Sequence, residues 1–263
     1  MQITNRFVLM LTASVDPKGM AGVSRPSPNE REEDYRACLR YYVRNHPHIK
    51  NIVFVENSGW PLERIREAVE ENPHGKKVEF LQFSENEFPR HLGKSYGELL
   101  MMDRAMASSA LAREARYVAK LTGRNYLLNL TTLLERAPES FELLCDLRDH
   151  PFFEWLGRPD SGRRCDTRFL VFTPWFYDTF VRGKYVLLNE TAGFFIEGLF
   201  YHIAKNSFVR ARVVHRLPVE PEYAGIAGHL NPDGTVRDYG SRGIVMKRRL
   251  RAVARRLAPW LYI

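Results

Sequence analysis

Apolar runs and apolar stripes alternate along the first half of the chain. The run Phe7 to Leu11 is unbroken, as in a strand buried on both faces, and its polar end falls at Thr12 to Ser14. A loop bearing Gly and Pro follows. Tyr35, Cys38, Leu39 and Tyr42 then recur at i, i+3, i+4 and i+7, which predicts an amphipathic helix. Ser27, Pro28 and Glu30 stand at its start as a capping box with a first-turn proline, and Pro47 closes it. "NIVFVENSG" predicts a second strand with a polar end at Glu56, Asn57 and Ser58. Pro61 opens a helix with Leu62, Ile65 and Val69 on one face, and "KKVEFLQF" reads as a third strand. One long helix is expected over "GKSYGELLMMDRAMASSALAREA", then a fourth strand over "RYVAKLTG".

This β-α-β-α-β-α-β order implies an α/β fold with a mostly parallel, Rossmann-type sheet flanked by helices. Ligands of such sheets bind beyond the carboxyl ends of the strands. Thr12 to Ser14, Glu56 with Asn57, and Lys120 to Arg124 should therefore share one edge. The second half is less regular. "FELLCDLRDHPFFEWL" reads as helix then loop, "DTRFLVFTPWFYDTFV" as a strand and short helix, and "NETAGFFIEGLFYHIAKN" as a helix. "VRARVVHRLPVEP" reads as a strand and "YAGIAGHLNPDGT" as a glycine-bearing loop. The expected organisation is one domain over 1–240, with a regular half at 1–130 and a less regular half at 131–240. Residues 241–263 form a basic tail.

At 263 residues with 44% hydrophobic and 12% aromatic content, the chain can bury a full core, which excludes a disordered or fibrous protein. Cys38, Cys145 and Cys165 are scattered, odd in number and form no CxxC pair, so packed thiols are expected rather than a disulfide frame or zinc site. No apolar run approaches a membrane span or a signal peptide, and the protein is expected in the cytoplasm.

The formal charge of +8 favours an anionic partner. Much of it lies in the tail, where Lys247, Arg248, Arg249, Arg251, Arg255 and Arg256 stand between Met246, Leu250, Val253, Leu257 and Leu261, with Trp260 and Tyr262 at the end. Apolar residues at helical spacing among cations suit an interfacial helix on an anionic membrane, through residues 246–263. The alternative is a basic helix whose apolar stripe packs on its own domain. No nucleic-acid reader motif accompanies the charge.

"KLTGR" is the most informative candidate site. Lys120 interrupts a buried run, and a buried lysine without an anion is costly. Lys120 and Arg124 at the ligand edge can neutralise a diphosphate without a divalent ion, and the alternative is a plain turn with an exposed arginine. "HLGKSYGE" fails as a P-loop because Phe88 stands where the first glycine is needed. A helix start beside Lys94 can still meet a phosphate. Asp166 and Arg168 share a strand face, either for substrate recognition or as a structural ion pair. Glu190 and Glu197, with Asp166 third, are candidates for a base that takes a hydroxyl proton; for Glu190 a helix-start carboxylate is the alternative, and base rates favour it.

"VFVENSG", "GKSYGELLMMDRAM" and "YVAKLTGRNYLLNL", in that order, resemble the nucleotide-binding half of GT-A-type glycosyltransferases, and more narrowly bacterial enzymes assigned to surface polysaccharides. The resemblance implies a nucleotide-sugar donor and a glycan or lipid-linked glycan acceptor, with 1–130 as the nucleotide-binding half and 131–240 as the acceptor-side half of a catalytic domain over 1–240. It implies nucleoside contacts at Thr12, Ser14, Glu56 and Asn57, and phosphate contacts at Lys94, Lys120 and Arg124. The Asp-x-Asp metal site of the pattern is missing, so the expected site holds no metal and no other cofactor. Members of the class that work without metal use basic side chains, which suits Lys120 and Arg124. A phosphotransferase or sulfotransferase, or a basic module binding nucleic acid or acidic lipid, are the alternative functions.

Overall fold

The computed structural model describes residues 6–20, 22–149, 162–230, 234–258 and 262. Its first half runs β1 (Phe7–Ala13), α1 (Pro28–Asn45), β2 (Asn51–Glu56), α2 (Glu63–Arg66), β3 (Lys77–Gln82), α3 (Gly93–Ser108), α4 (Ala110–Glu114) and β4 (Tyr117–Thr122). Short elements follow: β5 (Tyr126–Leu127), α5 (Leu130–Glu135), β6 (Leu143–Leu144), β7 (Leu147–Asp149), β8 (Arg163–Cys165), β9 (Phe169–Phe172) and α6 (Pro174–Phe176). The chain ends with α7 (Ile196–Asn206), β10 (Val213–Val214), β11 (Tyr223–Ala224), β12 (Ile226–Leu230), β13 (Val236–Asp238) and α8 (Arg242–Leu257).

Seven strands form one sheet in the order β10-β6-β9-β4-β1-β2-β3. The β3-β2-β1-β4 block is parallel, whereas β9 runs antiparallel to both β4 and β6. All seven residues of β1 are buried, as expected of the central strand of a sheet covered on both faces. One face packs on α1 through Tyr35, Leu39 and Tyr42, and the other on α3 and α7 through Leu99, Met102 and Phe200.

Several sequence expectations change. Ser27 is the N-cap and Pro28 opens α1, but the serine side chain makes no cap hydrogen bond. The single long helix after Gly93 breaks at Ser109, which leaves helical geometry at φ −76°, ψ 119°. Its Oγ donates to Glu79 at 2.5 Å and accepts from Ala112 N–H at 2.9 Å, so a carboxylate on β3 pulls the chain out of α3 and restarts it as α4. Leu143–Leu144 and Leu147–Asp149 are short strands rather than helix. Leu143 and Leu144 suit either period, and the free edge of β9 supplies the ladder that decides. Tyr223–Ala224 and Ile226–Leu230 form β11 and β12 rather than a loop, because β5 and β13 offer partners.

The tail forms α8, and its apolar stripe does not pack on the domain as the alternative reading expects. Arg251 and Arg255 turn inward to the buried Asp146 and Glu220, with Arg251–Asp146 at 3.1 Å and Arg255–Glu220 at 3.0 Å. Met246, Leu250, Val253 and Leu257 face outward, each more than half exposed. Trp260 and Leu261 lie outside the described residues. Among the described residues no helix is long and apolar enough to cross a membrane.

Candidate active site

Beyond the carboxyl ends of β1, β2 and β4 lies a cavity of about 480 Å³. Thr12, Ser14, Asn57, Lys94, Arg124, Asp166, Arg168, Glu190 and Glu197 all line it. The sheet edge is built tightly there. Gly123 N–H donates to the Thr12 carbonyl at 2.8 Å, and a Cβ at Gly123 would lie 2.8 Å from that oxygen. Only glycine allows β4 to turn so close to β1 and send Arg124 over the edge.

Arg124 is 5% exposed, and its Nη1 has no hydrogen-bond partner among the described residues. Burial pulls its pKa below the usual arginine value, and Arg31 adds to the fall against the opposing pull of Tyr35 and Asp34. A guanidinium held this way is costly alone and well placed to receive an anion. Asn57 Oδ1 and Asn125 Oδ1 are also buried without partners, and both residues line the same cavity.

Lys120 does not reach the cavity. It is fully buried, pairs with Glu98 of α3, and donates to the Thr167 carbonyl at 2.8 Å. Met10 and Leu170 flank it in the sheet, so its side chain runs into the layer under α3 and meets its counter-ion inside the protein. The expected pair of cations at the sheet lip is thus a single cation, Arg124, in this respect.

Glu56 also lies beneath the site rather than in it. Its carboxylate is wholly buried and accepts from the N–H groups of Val15 at 3.0 Å, Ser58 at 2.9 Å and Trp60 at 3.1 Å. Burial raises its pKa, and these hydrogen bonds oppose the rise. Glu56 therefore shapes the loops after β1 and β2. Arg31 does similar work, donating from Nε to the carbonyls of Ser14 at 2.8 Å and Val15 at 3.1 Å.

The three candidate carboxylates part company. Glu190 sits on the N-terminus of α3, accepting from Ser95 N–H at 2.8 Å and Ser95 Oγ at 2.6 Å. It lies so close that a Cβ at Gly93, whose φ is +79°, would overlap its side chain. A protein carboxylate thus fills the helix start expected for phosphate. Lys94 stands beside it and donates to the Gly22 carbonyl at 3.2 Å. Burial lowers the Lys94 pKa, and Glu190 opposes the fall. Asp166 accepts from Arg168 Nε at 2.8 Å and from its backbone N–H at 3.1 Å. Burial disfavours its charge, but Arg168 and then Arg148 override it and hold the carboxyl well below the usual range. Arg168 in turn stacks 4.0 Å from the Tyr223 ring and 5.0 Å from Tyr239. Glu197, in the first turn of α7, has no ion pair with a described cation, and its pKa is raised by burial, then by Glu98, Asp166 and Glu190.

No family model and no curated protein matches the sequence. Solved structures do resemble the fold. The inositol-1-phosphate CTP transferase from T. maritima superposes with a TM-score of 0.50 at 13% identity, over 89% of this chain and 94% of that one. The fold is GT-A-like. Core-mannan synthase A from Aspergillus fumigatus, in its Mn/GDP form, matches at TM-score 0.45 and 11% identity over 75% of this chain and 69% of its own. The galactosyltransferase LgtC, in complex with donor and acceptor sugar analogs, matches at 0.45 and 13% over 80% and 72%.

In this GT-A-like chain the cavity also gathers residues that sequence reading passed over. Arg31 stands four residues before Tyr35, on the buried stripe of α1, and an arginine there was a readable signal. Asn86, Asn125, Arg148, Arg164, Arg237 and Tyr239 come from loops and short strands with no local signature. Among the described residues no group of three or more His, Cys, Asp or Glu could hold a metal ion.

Proposed function

We propose that this protein transfers a sugar from a nucleotide-sugar donor to a glycan or lipid-linked glycan in bacterial surface polysaccharide synthesis, without a bound metal. The observation that carries the reading is Arg124, a buried guanidinium with an unpartnered Nη1 in the cavity at the carboxyl edge of the sheet. In glycosyl transfer the bond from the anomeric carbon to the phosphate oxygen breaks, and the leaving nucleoside diphosphate gains charge. A fixed cation aimed at that charge lowers the barrier. Lys94 adds a second cation at the same cavity, and Asn57 and Asn125 offer unused polar atoms for the nucleoside.

Glu197 is the base in this reading. Glu190 is held by Ser95 and Asp166 by Arg168, whereas Glu197 keeps a raised pKa and no counter-ion among the described residues. It takes the acceptor hydroxyl proton as the new bond forms at the anomeric carbon. The cationic lining of the cavity and the commitment of Asp166 to Arg168 support a site that works without metal. The outward stripe of α8, with Arg249 and Arg256 exposed beside it, supports a peripheral position on an anionic membrane.

A second reading, nucleotidyl transfer, is favoured by the likeness to the inositol-1-phosphate CTP transferase. A thermal-shift screen of nucleotide sugars, nucleoside triphosphates and sugar phosphates, with and without manganese, separates the two. Stabilisation by a nucleotide sugar without manganese supports glycosyl transfer. An absolute requirement for metal refutes the metal-free site, and pyrophosphate release from a triphosphate with a sugar phosphate refutes glycosyl transfer.

A further inference from the structure

A second cavity, of about 680 Å³, opens between α8, the β12–β13 hairpin and the segment from Glu220 to Tyr223. It shares Arg148, Arg168, Arg237 and Tyr239 with the first cavity, so the two are contiguous. Its charge is lopsided. Arg168 is matched by Asp166, and Arg251 by Asp146 and Glu220. Arg148, Arg237, Lys247 and Arg248 also line it, and none makes an ion pair with a described carboxylate. Asp238, the other acid of the lining, spends Oδ1 on the Gly240 N–H at 2.8 Å. The pKa of Arg148 is pulled down to about 10, first by burial and then by the charges of Arg251 and Arg164, as in a cation cluster lacking its anion.

We propose that this second cavity binds the diphosphate of a lipid-linked acceptor and thereby presents the acceptor sugar to the first cavity. The inference rests on the glycosyl-transfer reading. A diphosphate held by Arg237, Lys247 and Arg248 directs its attached sugar past Tyr239 toward Glu197. The lipid source follows from α8. Its inner side walls the cavity, and its outer side carries the exposed Met246, Leu250, Val253 and Leu257 among cations. A helix with side chains is about 10–12 Å across, so a diphosphate at the surface of an anionic membrane lies within reach of the cavity on the helix's other side.

The test uses farnesyl diphosphate and inorganic pyrophosphate as probes, with wild type and the Lys247→Gln/Arg248→Gln double variant, by calorimetry. Both substituted residues line the second cavity only. Farnesyl diphosphate should bind wild type, should bind more tightly than pyrophosphate, and should still bind when a nucleoside diphosphate saturates the first cavity. The double variant should lose at least tenfold in farnesyl diphosphate affinity while nucleotide affinity stays within twofold. Unchanged probe affinity in the variant, full displacement of the probe by nucleotide, or no saturable binding to wild type overturns the proposal. Equal affinity for the two probes assigns the cavity to a soluble diphosphate and overturns the lipid-linked reading. If no nucleotide binds, the donor reading has failed, and the farnesyl diphosphate comparison still decides the second cavity.

Discussion

Replacing Arg124 by Met should separate ligand binding from stability. The guanidinium is 5% exposed, its Nη1 has no partner among the described residues, and burial outweighs the pull of Tyr35 and Asp34, so the unliganded protein bears a buried and under-compensated charge. Methionine fills much of the same space without that cost, and the ligand-free variant should melt no lower than wild type. The bound state behaves oppositely. Removing one partner of a buried, charge-assisted contact costs about 2–4 kcal/mol, which weakens nucleoside diphosphate binding roughly 30- to 700-fold. At a ligand concentration of about 100 times the wild-type Kd, stabilisation should drop from about 2.7 kcal/mol to below about 0.9 kcal/mol. In a chain of this size that is a fall in thermal shift from roughly 5–10 °C to less than about 4 °C. Differential scanning fluorimetry with UDP and GDP titrations reads both quantities in one plate. A variant that keeps the full ligand shift, or that loses several degrees without ligand, refutes the assignment of Arg124 as an anion receptor.

The other consequences are more compact. Glu197→Gln should cut sugar transfer by about 10²- to 10⁴-fold with nucleotide affinity nearly unchanged. Because a base works deprotonated, the wild-type rate should rise with pH up to the raised pKa of Glu197 and then level; a rising limb that survives in the variant excludes Glu197 as its source. Lys120→Met leaves Glu98 without its partner and should cost about 1–3 kcal/mol in denaturant unfolding, below the value for a fully buried pair because the Glu98 side chain is 25% exposed. Nucleotide affinity should not change, and a large loss would return Lys120 to the site. His46, with its pKa lowered to about 4 by burial and then by Lys76, is neutral in the fold. The unfolded chain binds its proton first, so stability falls as pH drops from about 6.5 through 4, by about 2.5 kcal/mol at pH 4.5. His46→Phe should flatten that part of the stability profile, and an identical acid slope would count against it. Leu250→Glu/Leu257→Glu should abolish sedimentation with phosphatidylglycerol vesicles without lowering the melting temperature, since both side chains are more than half exposed; retained vesicle binding refutes the membrane-facing stripe.

The alternation of apolar strands with apolar helical stripes was enough to specify the sheet and its ligand edge. A strand buried on both faces must be uniformly apolar, and its polar residues can appear only where pairing stops. Thr12, Asn57 and Arg124 were therefore legible as neighbours before any coordinates. Local pattern could not tell Lys120 from Arg124. Each is a cation near a strand end, but Lys120 is still flanked by Met10 and Leu170, whereas Arg124 lies beyond Thr122, the last residue of β4. The pairing forces one inward to Glu98 and leaves the other free to face a ligand. The same limit applies to the acids. Glu190, Glu197 and Asp166 are alike as residue types, and only the approach of Ser95 and Arg168 from distant parts of the chain binds two of them and spares the third. In α8 the sequence carried an amphipathic helix, but which face meets the domain was decided by Asp146 and Glu220. A buried carboxylate needs a cation more than an exposed leucine needs cover, so the arginines turned in and the apolar stripe turned out.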